Sequence, residues 1–195
     1  MFSRRRPSDA EIRAFIGAQA QLPFSYPEVG TTRGEPPAGY TVDHNRVALG
    51  HGHAAFERAV SALRRWQMFA IANVELCWPD APIAVGTTVA ILASAAGLWS
   101  INACRIVYLV DEAGPGTRRY GFAYGTLPAH AVRGEERFVV EWVSATDEVT
   151  YDLLAFSRPA SRLLTWGRPL LRRAQRDFAR RSLASMRRAT AALTD

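Results

Sequence analysis

Between Ile83 and Ser157 apolar and polar residues alternate with period two in five runs: Ile83–Ala93, Leu98–Val110, Arg118–Thr126, Glu135–Val143 and Val149–Ser157. Alternation of this kind turns one side of a strand to a core and the other to solvent. Turn-forming stretches, DEAGPGT and SATDE among them, separate the runs. They predict an antiparallel meander rather than βαβ units. Tyr40 to Leu49 reads as one further strand, six in all, and His53 to Met68 has helical spacing at Phe56, Val60, Leu63 and Trp66. Phe69 to Pro82 fits neither period and stays unassigned.

Helices are expected at both ends. Ser8-Asp9-Ala10-Glu11 is a capping box that opens a short helix through about Gln19. The Pro- and Gly-rich stretch that follows, LPFSYPEVGTTRGEPPAGY, reads as an irregular arm. From Pro159 onward the pattern is helical again, with Trp166-Gly167-Arg168-Pro169 restarting the helix and a proline in its first turn. Leu171, Ala174, Phe178, Ala179, Leu183, Met186 and Leu193 then form an apolar stripe. The pattern predicts a helix and arm over 1–39 and one α+β domain over 40–195. In that domain a curved antiparallel sheet is covered by a long C-terminal helix, an arrangement with room for a cavity.

Composition narrows the function. At 195 residues and 48% apolar content the chain can bury a core. No run approaches the roughly 18 apolar residues of a membrane span. No apolar stretch follows the basic N-terminus as a secretory leader requires, which places the chain in the cytoplasm. The net charge is +6, and all 24 basic residues are arginine. Ten of them lie between Arg158 and Asp195 against two acids, and the rest of the chain is slightly acidic. Arg172, Arg176, Arg180 and Arg187 fall largely outside the apolar stripe, as on a solvated helix face, so nucleic acid is not an expected partner. Cys77 and Cys104 read as isolated thiols. His44, His51 and His53 gather near Asp43, but the HxH pair falls at a strand-to-helix turn and no metal is expected. Walker A, GxGxxG, GxSxG and CxxC patterns are absent from the sequence. Nucleotide hydrolysis, Rossmann redox chemistry and serine hydrolysis therefore lack their marks, and no cofactor is expected.

The richest stretch is RYGFAYGTLPAHAVRGEERF, Arg119 to Phe138. Tyr120, Phe122 and Tyr124 share a strand face opposite Gly121, Ala123 and Gly125, which suits either a pocket wall or plain core packing. Adjacent residues of a strand point to opposite faces, so Glu135 and Glu136 cannot both face one cavity. Glu136 shares its side with Phe138, Val140 and Trp142, and is the inward candidate. Glu135 goes with Arg137 and Glu141, toward water. A carboxyl buried among aromatics has its pKa raised and can act as acid or base; equally it can bond backbone amides or pair with an arginine. His130, just past Pro128, stands at a turn. Asn102, Tyr108 and Tyr151 carry polar tips in strand patterns and could orient a ligand or satisfy one another.

The run Arg119 to Pro128, with His130 and Gly134-Glu135-Glu136-Arg137-Phe138, resembles the DUF1990 (UPF0548) family of bacteria and plants. Tyr26 to Thr32, Gly97-Leu98-Trp99-Ser100 with Asn102 and Arg105, and Ala155 to Pro159 match as well. Ala129 departs, standing where that family has glycine before the histidine. The resemblance implies kinship with the START-like SRPBCC superfamily and its helix-grip fold. That fold has seven strands, one more than the pattern counts, wrapped around a C-terminal helix with an apolar cavity between. It supplies no activity. The expected function is binding of a small, largely apolar molecule by Asn102, Tyr108, Tyr120, Phe122, Tyr124, Phe138, Trp142 and Tyr151. The alternative is a cofactor-independent cyclase, dehydratase or isomerase acting on a polyketide- or terpenoid-like substrate, with Glu136 as acid or base and His130 and Tyr124 as its partners.

Overall fold

The computed structural model describes residues 2–95, 97–161 and 167–191. Its first helix, α1 (Asp9–Ala20), starts as the sequence requires: Ser8 Oγ accepts the Glu11 amide and the Glu11 carboxylate accepts the Ser8 amide. After the arm come β2 (Thr41–His51) and α2 (Gly52–Arg64), then β3 (Val74–Cys77), β4 (Thr88–Ala95), β5 (Leu98–Gly114), β6 (Thr117–Thr126), β7 (Val132–Val143) and β8 (Glu148–Pro159). A long helix, α3 (Arg168–Thr190), closes the chain with Pro169 in its first turn. Among the described residues seven strands form one antiparallel sheet in the order β2-β8-β7-β6-β5-β4-β3, and a two-residue strand β1 (Phe2–Ser3) pairs with β5. This is the helix-grip arrangement, a curved sheet closed on one face by helices.

Three expectations are corrected. The sheet has a seventh strand, β3, inside the unassigned stretch; four residues are too few to display a period. The strand expected from Ile83 begins at Thr88, because Pro82 to Thr87 makes turns in which Gly86 takes φ +89°. The helix expected to reach Met68 ends at Arg64, since Trp66 adopts a left-handed conformation (φ 55°) before a 3-10 turn over Gln67–Phe69. Trp166 and Leu193 lie outside the described residues.

The concave face is divided between two helices. The stripe of α2 buries Ala55, Phe56, Ala59, Val60, Ala62 and Leu63 against one half of the sheet. There Trp66 meets Phe122 edge-on at 4.9 Å and Phe56 packs on Trp142 at 6.4 Å. The second half of α3 buries Ala179, Ser182, Ser185 and Met186, and Ser185 Oγ donates to Gln67 O at 2.6 Å. The first half of α3 is tied to the sheet by polar bonds, Arg172 to Asp43 and Gln175 to Ser157.

The convex face is covered by the arm. Tyr26 Oη donates to the Glu135 carboxylate at 2.7 Å, as do the Gly30 amide at 2.7 Å and the Thr32 amide at 3.0 Å, and Thr32 Oγ1 adds a further short bond. Glu135, expected in water, is 2% exposed. The alternation placed it correctly on the outer face; the arm turns that face into an interior. Arg137, on the same face, holds Thr32 O at 2.8 Å and Asp152 at 2.9 Å. Arg105 gathers the carbonyls of Gln19, Ala20 and Leu22 at the end of α1.

Gly125 makes room for this latch, because a Cβ there would meet Tyr26 Oη at 2.2 Å. Gly125→Ala is expected to push Tyr26 off Glu135 and destabilise the fold by about 1–3 kcal/mol, the usual range for overpacking. Urea midpoints measure it, and an unchanged midpoint would show that the arm contributes nothing there.

Candidate functional site

Beneath the first half of α3 the concave face leaves a cavity of about 520 Å³. Its walls come from β2, β4, β5, β6, β7, β8, the segment from Phe69 to Val74, the turn around His130, and Leu171, Ala174, Gln175 and Phe178 of α3. Small side chains, Ala93, Ala155 and Ala174, keep it open, and aromatic ones, Phe69, Tyr124 and Phe178, give it an apolar lining. Phe69 lies 5.5 Å from Phe178 and 6.2 Å from Tyr124, ring centre to ring centre.

Glu136 stands in this wall, opposite Ala155 across the β7–β8 ladder and Tyr124 across the β6–β7 ladder. Tyr124 Oη donates to Glu136 Oε2 at 2.7 Å. Burial pushes the Glu136 carboxyl up to about 7; the Tyr124 hydrogen bond opposes the shift and the charge of Asp43 adds to it. Burial, and then the nearby Glu136 charge, hold the Tyr124 phenol well above its ordinary range. The pair thus offers a carboxyl that titrates near neutrality beside a phenol that stays protonated.

His130 reaches the cavity from the β6–β7 turn. Its Nδ1 lies 3.1 Å from both the amide and the carbonyl of Val132. Burial is the main cause lowering its pKa to about 4, so the ring is neutral at physiological pH. The turn is fixed from two sides: the Ala129 amide donates to Gln19 Oε1 at 3.0 Å, and the Ala131 amide donates to Asn102 Oδ1 at 3.2 Å. Asn102 lines the cavity, but it spends its amide on Ile91 O and Ser100 as well. It is a brace for the turn.

Of the residues expected to hold a ligand, Asn102 and Tyr124 line the cavity and the other six do not. Phe122, Phe138 and Tyr151 are fully buried in the core, Tyr151 with its hydroxyl 3.2 Å from Ser182. Tyr120 and Trp142 pack at the edge of that core, under Arg64 and beside His53. The reason is α2, whose side chains fill that half of the concave face. Tyr108 is on the wrong side altogether. A register shift between Ile106 and Tyr108 adds one residue to β5 and inverts the alternation. Tyr108 therefore lies under the arm, hydrogen-bonded to Thr32 at 2.7 Å and stacked by Arg33.

The sequence reading missed Phe69, in the unassigned stretch, and the ion pair at the cavity between Asp43 of β2 and Arg172 of α3, with N–O distances of 2.5 and 2.6 Å. Strand parity places Asp43 on either face depending on a partner that only the fold identifies. His44 bonds Asp152 on the outer face and His53 packs on Trp142. Among the described residues no group of three or more His, Cys, Asp and Glu side chains is placed to hold a metal. Nor is any described helix long and apolar enough to cross a membrane.

A curved antiparallel sheet, a long C-terminal helix and a cavity between them define a helix-grip protein. More particularly, residues 25–185 match the family model "Domain of unknown function (DUF1990)", and the chain belongs to that family. It is 36% identical over 195 residues to a UPF0548 protein of Dictyostelium discoideum, covering 91% of this chain and 90% of that one. A UPF0548 protein of Deinococcus radiodurans is 38% identical over 194 residues, with 92% and 94% covered. Among solved structures, a hypothetical protein of Helicobacter pylori superposes with a TM-score of 0.51 at 11% identity, covering 77% of this chain and 88% of that one. That likeness speaks to fold alone.

Two half-buried groups make opposite contributions to the pH dependence of stability. Glu136 keeps in the folded state a proton that the unfolded chain has released between about pH 4.5 and 7, so its contribution is lost as pH rises through that window. His130 refuses a proton that the unfolded chain binds between pH 6.5 and about 4, so its contribution is lost as pH falls. Glu136→Gln removes the first and exposes the second. Relative to the parent, the variant gains on the order of 2–3 kcal/mol between pH 4.5 and 7. Unfolding curves that run parallel over that range would refute the assignment.

Proposed function

We propose that the protein binds a small, largely apolar molecule in this cavity, in the cytoplasm. The observation that carries the reading is the cavity itself: about 520 Å³, of a size for a small molecule, walled by apolar and aromatic side chains with a few convergent polar groups. Tyr124 and Glu136 supply the polar end, and His130 and Asn102 stand beside them. Two thiols, Cys77 and Cys104, are buried and free, as suits a reducing compartment.

Narrowing the cavity tests this. Ala155 faces Glu136 across the strand pair, so Ala155→Phe places a ring in the open space. Binding of a neutral solvatochromic dye, Nile red, is expected to weaken at least tenfold in the variant, with its far-ultraviolet circular dichroism unchanged. Equal binding would place the dye, and the function, elsewhere.

A second reading is favoured by one observation, the hydrogen-bonded Tyr124–Glu136 pair with a carboxyl poised near pH 7. Such a group can deliver and recover a proton at neutral pH. The corresponding activity is a cofactor-independent cyclisation, dehydration or isomerisation of a polyketide- or terpenoid-like substrate. Glu136 moves the proton, Tyr124 steadies its charge and His130 offers a neutral ring. The ligand identified by mass spectrometry of protein purified from its host supplies the substrate. Glu136→Gln is then expected to lose turnover by about a hundredfold or more. Undiminished turnover would leave binding alone.

A further inference from the structure

The charges of the cavity are unequal in an arginine-rich protein. Among the described residues its lining holds the carboxyls of Asp43, Asp177 and Glu136 but one arginine, Arg181. Arg181 is paired with Asp177 at 2.8 Å, and Asp43 is held by the two-pronged bond from Arg172. The Glu135 carboxylate is turned outward to the arm. That leaves Glu136. Its Oε2 accepts the Tyr124 hydroxyl, and among the described residues its Oε1 takes no hydrogen bond. Among the described residues no cation contributes to its pKa shift. A carboxylate in apolar surroundings without a counter-charge is costly, and a charge brought by the ligand removes that cost.

The second feature is aromatic. The rings of Phe69, Tyr124 and Phe178 line the same cavity within 6.2 Å of one another along the chain Tyr124–Phe69–Phe178. Ring faces attract cations through their quadrupole, and the attraction grows as water is excluded. A carboxylate beside several ring faces recognises an organic ammonium; an anion finds no unpaired arginine there among the described residues.

We infer that the cavity takes its ligand as an apolar amine, bound in the protonated form, with the ammonium seated against Glu136 and the aromatic lining. The inference rests on the apolar-ligand reading above and adds the ligand's charge. A neutral ligand presenting a carbonyl would instead need the protonated carboxyl, and the two cases have opposite pH dependence. The groups facing Glu136 do not blur the contrast. Tyr124, Tyr151 and Cys104 are held protonated by burial, and His130 is neutral. Asp43 is paired with Arg172, and Asp177 with Arg180 and Arg181.

The test compares 2-(2-naphthyl)ethylamine with 2-(2-naphthyl)ethanol, which share size and skeleton and differ in charge. Each is titrated calorimetrically into the full chain at pH 6 and pH 8. The amine, with a pKa near 10, stays protonated throughout, while the ionised fraction of Glu136, whose pKa is raised to about 7, rises over this range. At pH 8 the amine is expected to bind about tenfold more tightly than the alcohol, the worth of one charge-assisted contact. The preference shrinks severalfold at pH 6, and below neutrality amine binding releases protons to the buffer. In Glu136→Gln the preference falls to near one. An alcohol that binds as tightly as the amine, a preference that grows toward pH 6, or one that survives Glu136→Gln overturns the inference. Binding of neither compound overturns the apolar-ligand reading itself, and the inference falls with it. If Glu136→Gln does not fold, the pH series on the parent protein decides.

Discussion

Everything in this molecule turns on one constraint of β7: neighbouring side chains of a strand face opposite ways. Glu135 and Glu136 are chemically identical and adjacent, and each lies in β7 between β6 and β8, with a register partner on both sides. Their carboxyls nevertheless occupy two unconnected environments. Outside, the arm surrounds Glu135 with a phenol, two amides and a hydroxyl. Inside, Glu136 has one phenol and a cavity. The first is a solvated charge rebuilt from protein dipoles; the second is a charge left short of solvent. Structure is anchored at one residue and chemistry is held ready at the next.

The cavity survives because the concave face is filled unevenly. The half under α2 receives Phe56, Trp66, Phe122, Phe138 and Trp142, which interlock ring against ring. The other half has alanines on β4, β8 and α3, and the end of α3 that spans it is tethered by polar bonds at its margin. Arg172 holds Asp43 and Gln175 holds Ser157 at 2.9 Å. A helix held at its rim by hydrogen bonds, rather than pressed down by apolar burial, leaves space beneath it. Leu171 and Phe178 of the expected apolar stripe face that space, while Ala179 and Met186 further along are buried. One stripe therefore serves two purposes.

What could be read from the chain divides along the same physical line. The capping box at Ser8, the strands of the meander, the inward parity of Glu136 and the proline start of α3 are local properties, decided by a few adjacent residues, and they were legible. Tyr108 was misplaced because a single extra residue in β5 inverts the parity, and nothing in IVYLV marks where it falls. Parity sends Glu135 to the outer face but does not say what lies there, and Tyr26 to Thr32 reach it from more than a hundred residues away. Phe122, Phe138 and Tyr151 faced inward as read. Whether inward means core or cavity depends on α2, and periodicity carries no information about how much of a face a helix will fill.

That last distinction bears on the site. In strands β6 and β7 the inward residues run Phe122, Tyr124 and Phe138, Glu136, so two rows pass from packed core to cavity wall. The ends near the His130 turn, Tyr124 and Glu136, are polar-tipped and line the cavity. Tyr124 and Phe138 meet edge-on at 5.1 Å, so the ring carrying the polar hydroxyl is held by the core behind it. A phenol fixed in this way keeps its hydrogen bond to Glu136 without further support, since its two rotatable angles are already set by packing. Rigid placement of a carboxyl within an apolar wall is what makes its charge state a property of the site rather than of the solvent.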